Sequence, residues 1–68
     1  MRYLVIYESS DDGFGAYVPD LPGCVAVGDT RAEVEQLIRE AIALHVADMR
    51  ATGQAIPEPT SQGELVEV

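Results

Sequence analysis

The chain has few of the residues that commonly stabilise small domains: one cysteine, one histidine and no tryptophan among 68 residues. A single cysteine, Cys24, excludes an internal disulfide. With His45 as the only histidine, there is no Cys and His cluster for a structural metal either. Small folds without such crosslinks often gain stability by self-association, so a homodimer or homotetramer is expected.

Basic residues are scarce too, with four Lys and Arg against twelve Asp and Glu and a net charge of −8. A surface of that sign repels nucleic-acid phosphates, so direct nucleic-acid binding is not expected. The same charge attracts a small basic protein. The alternative is that the acidity only keeps the protein soluble.

Long apolar runs are absent. The stretch from Leu4 to Ile6 is far too short to span a bilayer. The amino terminus has a strand-like pattern that contains Arg2, Tyr3 and Glu8, which is not the pattern of a signal peptide. Together with the unpaired thiol, these features predict a cytoplasmic protein without membrane contacts.

Three segments carry the β-branched and aromatic residues typical of strands: Tyr3–Tyr7, Phe14–Val18 and Cys24–Val27. Residues 9–13 (Ser-Ser-Asp-Asp-Gly) have turn chemistry and predict a hairpin between the first two strands. Pro19 ends the second strand because it lacks an N–H group. Both faces of the first strand are apolar, which predicts a central strand covered on each side.

A helix is predicted from Thr30 onwards. Thr30 and Glu33 have capping-box spacing, and Asp29 adds negative charge where the helix dipole favours it. Gly53 is the expected left-handed cap, and Pro57 prevents continuation. A solvent-exposed i,i+4 pair is expected between Glu35 and Arg39. The apolar face is predicted to comprise Val34, Ile38, Ala41, Ile42, His45 and Met49, flanked by Leu37 and Leu44.

The carboxy-terminal residues Gln62–Val68 alternate weakly and predict a fourth strand. The expected fold class is therefore α+β, in the order β-β-β-α-β, with one helix packed on an antiparallel sheet. No internal repeat or linker is visible, so residues 1–68 are predicted to form a single domain.

Candidate catalytic groups all have a simpler structural explanation. Asp11 and Asp12 could form a metal pair, but beside Gly13 they are typical turn formers. His45 lies at the apolar helical face, which favours a packed or interface histidine over a general base. Cys24 has no neighbouring base and is expected to be a small buried residue. We therefore predict no catalytic residue, no metal and no cofactor.

The most specific stretch is Pro19-Asp20-Leu21-Pro22-Gly23-Cys24, followed by Gly28-Asp29-Thr30 and Glu33, and after the helix Ile56-Pro57-Glu58-Pro59. This combination resembles the HicB family of antitoxins, over nearly the whole chain. The resemblance implies a partial ribonuclease H-like fold that has lost catalysis. It also implies that the domain neutralises a small basic HicA-type toxin, an mRNA-cleaving protein with a double-stranded-RNA-binding-like fold.

One departure from the family pattern concerns the carboxy terminus. HicB antitoxins commonly carry a DNA-binding segment there, whereas fifteen residues follow Gly53 in this sequence. A minimal family member without direct operon repression is therefore expected. Two alternatives remain open: an orphan oligomeric domain with a scaffold or small-ligand role, and a residual metal-dependent nuclease.

The resemblance does not identify the partner-binding surface. Asp20, Leu21 and Pro22 are expected to form an exposed rigid loop, and rigid loops lose little entropy on docking. The alternative is that the same residues are fold architecture, together with the helix-capping residues Asp29, Thr30, Glu33 and Gly53. Unpaired edges of the short strands are a second candidate, for self-association.

Overall fold

Three short antiparallel strands followed by one long helix make up the protein, and the computed structural model describes all residues 1–68. The strands are β1 (Ile6–Ser10), β2 (Gly13–Tyr17) and β3 (Val25–Gly28), and the helix is α1 (Arg31–Ala51). This confirms the α+β class, the antiparallel sheet and the helix packed on it.

The strand order is β1-β2-β3, so β2 is the central strand and β1 is an edge. The prediction that the first strand is central was therefore wrong. The bounds of the first strand were also wrong, since β1 covers Ile6–Ser10 and not Tyr3–Tyr7. The turn at Asp11 and Asp12 pairs Ser10 with Gly13 and Ile6 with Tyr17. Residues 3–5 extend past the end of β2, where Pro19 offers no N–H to continue the ladder.

The amino terminus of α1 has the predicted cap. The Glu33 N–H donates to Thr30 Oγ1 at 3.2 Å. In return, Glu33 Oε1 accepts from the Asp29 N–H at 3.1 Å, one residue earlier than in the usual capping box. Thr30 thus satisfies one N–H of the first helical turn, and Glu33 satisfies the N–H of the residue before the cap.

Gly53 caps the carboxy terminus of α1 in the left-handed conformation, as predicted, and the hydrogen bonds around it form a Schellman motif. Gly53 has a φ of +73°, and its N–H donates to the Arg50 carbonyl at 3.3 Å. The Gln54 N–H donates to the Met49 carbonyl at 2.8 Å. Only glycine adopts this left-handed backbone without steric cost, so Gly53 fixes where the helix stops.

The apolar face of α1 is narrower than predicted, since Leu44 is 72% exposed. The predicted pair of Glu35 with Arg39 was wrong: Glu35 Oε1 lies 3.2 Å from Arg31 Nε instead. Arg31 is held in place because its guanidinium also lies 3.8 Å from the centre of the Tyr7 ring.

No helix is both long enough and apolar enough to cross a membrane.

The hydrophobic core lies between α1 and the adjoining face of β2 and β3. Residues of β2 and β3 alternate between this face and the opposite one, so Ala16 points to the helix while Tyr17 points away. Half-buried side chains from the amino-terminal segment and from the middle of α1 extend the core. Its fully buried members are Ala16, Val18, Leu21, Cys24, Val34 and Ile38.

The predicted fourth strand at Gln62–Val68 is not formed. The tail is instead anchored through side chains: the Tyr3 hydroxyl donates to the Pro57 carbonyl at 2.6 Å, and Asp20 binds Thr60 and Ser61. The side chains of Leu65, Val66 and Val68 are 102%, 72% and 125% exposed. The tail therefore has no apolar face buried against the sheet that would hold it there as a strand.

Candidate partner-binding site

The loop between β2 and β3 is built around a buried leucine. Leu21 has no exposed surface, so the expectation that it lies exposed was wrong. Its N–H donates to the Val18 carbonyl at 3.1 Å, and its carbonyl accepts from the Cys24 N–H at 3.0 Å. These turns direct the side chain into the core, whereas Pro22 remains exposed. The loop is mainly fold architecture.

Asp20 is the residue that ties this loop to the tail. Its Oδ2 accepts from the backbone N–H groups of Thr60 at 3.0 Å and Ser61 at 2.9 Å. Its Oδ1 accepts from the two hydroxyls, at 3.2 Å and 2.8 Å respectively. One carboxylate thus holds two consecutive residues forty positions away, an arrangement we call the Asp20 clasp.

The clasp lowers the pKa of Asp20, chiefly because the backbone N–H and the hydroxyl of Ser61 donate to the ionised carboxylate. Because its pKa is lowered on folding, the Asp20 carboxylate stabilises the folded protein at pH values above the ordinary aspartate pKa of 3.8. This stabilisation is lost as the pH falls through the lower pKa of the folded state. The Asp20 contribution to tail anchoring is therefore present at neutral pH, and it is expected to weaken in acid.

We predict that the Ser61 amide proton reports this titration directly. Its NMR chemical shift is expected to inflect below pH 3.8 in the unmodified protein and to lose that inflection in Asp20→Asn. The variant should also exchange the Thr60 and Ser61 amides faster at neutral pH, because an Asn side chain accepts through only one oxygen. An inflection at or above pH 3.8 would contradict the clasp.

A second feature is an open groove at the hairpin end of the sheet, with a volume of about 560 Å³. Three carboxylate side chains line it, from Glu8 in β1, Asp12 in the hairpin turn and Asp29 just after β3. All three residues are exposed. We call these three residues and the space between them the acidic groove. Its other lining residues are Ser9, Ser10, Gly13, Phe14, Gly15, Val27 and Gly28.

Two glycines let the backbone segments around the groove approach closely. Gly13 has a φ of +138°, and a Cβ there would lie 2.6 Å from the Gly28 carbonyl oxygen. A Cβ on Gly28 would in turn collide with the Glu33 carboxylate. The hairpin turn therefore packs directly on the end of β3, which brings Asp12 and Asp29 to the same groove although seventeen positions separate them.

The acidic groove is unneutralised. None of its lining residues is basic, and the side chains of Glu8, Asp12 and Asp29 accept no hydrogen bond from the rest of the chain. The chain's one ion pair joins Arg31 to Glu35, outside the groove. Exposed carboxylates in this arrangement suit the guanidinium or ammonium groups of a basic partner.

Sequence reasoning did not identify the acidic groove. Asp12 was weighed as part of a metal pair and interpreted as a turn former, and Asp29 was interpreted as a helix-cap residue; both residues do have these positions. The predicted hairpin could have indicated that Glu8 lies near the turn, because the hairpin register places Glu8 opposite Gly15. The packing of the turn against Gly28 has no pattern in the sequence that would predict it.

The remaining candidates have the structural roles expected of them. Cys24 is buried, and burial raises the pKa of its thiol. His45 is half-buried on α1, and Asp11 lies in the hairpin turn. No group of three or more His, Cys, Asp and Glu side chains is arranged to hold a metal ion.

Comparison with known proteins gives a consistent picture. The model of one protein family, described as the HicB-like antitoxin of bacterial toxin–antitoxin systems, matches residues 3–68. The chain also resembles a chain of the solved HicA3 and HicB3 toxin–antitoxin complex with a TM-score of 0.71 and 31% identity, covering 88% of this chain and 70% of that one.

Curated relatives fall into two length classes. The whole of this chain is 33% identical to antitoxin HicB 2 of Photorhabdus laumondii, and it spans 50% of that protein. Over 85% of this chain, it is 36% identical to a 14.9 kDa protein of Haemophilus phage HP1, and it spans 44% of that protein. By contrast, it spans 91% of the UPF0150 protein Ta0767 of Thermoplasma acidophilum, at 33% identity over 91% of this chain.

Proposed function

The chain belongs to the HicB-like antitoxin family of bacterial toxin–antitoxin systems, and on that basis we propose that it binds and neutralises a HicA-type, mRNA-cleaving toxin. A family of antitoxins suggests a role in binding rather than in catalysis. The proposed site of action is the cytoplasm, where such a toxin meets its mRNA.

The observation that carries the proposed contact is the acidic groove. Glu8, Asp12 and Asp29 are exposed and line one groove without a neutralising base, on a chain whose net charge is −8. A protein that binds RNA presents basic side chains to phosphate, and those side chains are complementary to this groove. The groove would therefore occupy the surface that the toxin uses for RNA.

Electrostatic attraction is proposed to raise the rate at which the chain associates with the toxin. Opposite surface potentials steer two proteins together and raise the association rate well above that of neutral partners. Once bound, the carboxylates replace RNA phosphates as partners of the basic groups, and the substrate is excluded. Of the loop residues, Asp20 already holds the tail and Leu21 is buried, so Pro22 is the one proposed to touch the toxin.

The test is inhibition of RNA cleavage in a purified system. A HicA-type toxin from the same organism is incubated with a labelled mRNA, with increasing amounts of this chain. We expect cleavage to stop at a stoichiometric ratio and a stable complex to form at low ionic strength, weakening as salt is added. Cleavage that continues at a large molar excess of the chain would contradict neutralisation.

An orphan oligomeric domain is the second candidate, and one observation favours it. Several large apolar side chains of the sheet are exposed, among them Val25 and Val27, as expected for a chain that assembles with itself. Self-association without any toxin that binds would support this alternative. A homodimer or homotetramer is part of the antitoxin proposal as well, so only toxin binding separates the two.

A further inference from the structure

Arg31 is the basic residue that lies nearest along the chain to the acidic groove. It follows Asp29 by two positions, whereas Arg2, Arg39 and Arg50 are all further from any carboxylate of the groove. Two residues bring the Cα atoms of Asp29 and Arg31 within about 7 Å of each other, a distance that an Arg side chain can bridge. The groove therefore has a basic group of its own within reach.

Two contacts hold the Arg31 side chain away from the acidic groove. Its Nε donates to Glu35 Oε1 at 3.2 Å, and its guanidinium carbon lies 3.8 Å from the centre of the Tyr7 ring. Arg31 is not among the residues that line the groove. Its side chain is 54% exposed, so these two contacts, rather than burial, decide where the guanidinium lies.

Tyr7 places the guanidinium on the opposite side of the sheet from the Glu8 carboxylate. In the strand register, Tyr7 lies opposite Ala16, which is buried against α1. Neighbouring residues of a strand point to opposite faces, so Glu8 points away from α1. Arg31 is therefore stacked on the helix side of β1, while Glu8 lines the groove on the other side.

The position of Arg31 within the helix is electrostatically unfavourable by itself. Arg31 is the first residue of α1, where the positive end of the helix dipole disfavours a cation. The chain has only four basic residues, and one of them occupies this position. Capping does not require it, since Thr30 and Glu33 already provide the cap. The helix itself therefore gives no reason for a basic residue here.

We propose that Tyr7 and Glu35 keep Arg31 out of the acidic groove, so that its three carboxylates stay free for the basic side chains of a partner. Once released from Tyr7, Arg31 samples other rotamers and pairs with Asp29, which cancels part of the charge that attracts the partner. Tyr7 and Glu35 are positioning residues, because they act through Arg31. The identity of the partner rests on the proposed function, whereas the charge of the groove does not.

The experiment compares two substitutions of Tyr7 that leave the net charge at −8. Tyr7→Phe keeps an aromatic ring under the guanidinium, whereas Tyr7→Leu removes the ring and keeps an apolar side chain against the core. The first probe is an octalysine peptide, whose binding at low salt is measured by titration calorimetry. Tyr7→Leu should raise its dissociation constant about two- to fivefold, as expected for one exposed ion pair, and Tyr7→Phe should leave it unchanged.

Double variants separate the release of Arg31 from damage to the fold. Tyr7→Leu with Arg31→Gln has no guanidinium that could enter the groove, so it should bind the peptide at least as tightly as the unmodified chain. Tyr7→Leu with Arg39→Gln has the same net charge of −9, one less than −8, and should stay weak. If the ring only stabilised β1, the two double variants would bind equally weakly.

Glu35→Gln tests the second contact without altering the core, so it decides the matter if Tyr7→Leu does not fold. Its matched control is Glu40→Gln, which also removes one carboxylate from α1 but one that accepts from Gln36 and does not contact Arg31. Glu35→Gln should weaken peptide binding about twofold more than this control. Neither variant should have a larger effect than the other in a chain that also carries Arg31→Gln.

The same variants are then measured with the HicA-type toxin, and the same order of affinities is expected. That order with the peptide, but no binding of the toxin, would contradict the proposed function and leave the role of Tyr7 and Glu35 standing. An unmodified chain that does not bind the peptide would overturn the inference. So would equal peptide affinities of the unmodified chain, Tyr7→Leu and Glu35→Gln, whatever the toxin does.

Discussion

Replacing Leu21 with alanine is expected to lower the free energy of unfolding by about 3 kcal/mol, because the side chain has no exposed surface and its removal leaves a cavity. A domain of this size has a total stability of only about 3–10 kcal/mol. Chemical denaturation followed by circular dichroism, at a fixed protein concentration, measures the change. The midpoint should fall sharply without a change in the native helix signal.

Leu44→Ala is the control for Leu21→Ala. It makes the same substitution at a residue that is 72% exposed on α1, and its effect is expected to stay within about 0.5 kcal/mol. The comparison also separates the two interpretations of the loop. If Leu21→Ala left stability unchanged but impaired toxin binding, Leu21 would be a partner contact and its position in the core would be wrong.

Neutralising the acidic groove is expected to weaken toxin binding by about ten- to a hundredfold at low salt, mostly through slower association. The variant combines Glu8→Gln, Asp12→Asn and Asp29→Asn, which changes the net charge from −8 to −5. Each substitution preserves side-chain size, and Asn remains a good turn residue at position 12. Stopped-flow association with the HicA-type toxin measures the rate at several salt concentrations.

The matched control removes the same amount of charge elsewhere. Asp48→Asn, Glu64→Gln and Glu67→Gln are also exposed and also change the net charge to −5. We expect this control to slow association only slightly. Equal slowing in both triple variants would mean that overall charge, not the acidic groove, attracts the toxin. No slowing in either would contradict an electrostatic contact.

Local chemistry was readable from the sequence because its causes are local. Thr30 and Glu33 cap the helix from three positions apart, and Gly53 ends it through bonds to the preceding turn. The hairpin turn at Asp11 and Asp12 likewise depends on adjacent residues. In each case the residue type alone carries the conformational preference, so the three strands and the helix were predictable in their types and order.

Features that depend on distant parts of the chain were not readable. Asp20 was interpreted as a partner-binding residue of an exposed loop, with fold architecture as the alternative. Its link to the tail was not readable, because Thr60 and Ser61 lie forty positions away and have no distinctive pattern. The first strand was placed in the centre of the sheet because apolar faces do not reveal which of them is covered within one copy. Its Ile6 lies opposite Tyr17, on the side of the sheet that α1 does not cover.

The acidic groove illustrates a third limit. Its residues were each identified, but for structural roles that they also fulfil. Their convergence depends on the approach of Gly13 to Gly28, which is a packing event without a sequence signature. Charge composition predicted a basic partner, and packing decided where on the surface that charge is concentrated.

The six core residues all lie between Ala16 and Ile38, whereas the Asp20 clasp joins residues forty and forty-one positions apart. Contacts between near neighbours form quickly, and long loops close later because of their entropy. The six buried residues can therefore pack against one another before the clasp closes. The clasp closes last, so a folding chain acquires its hydrophobic centre before its tail is fixed.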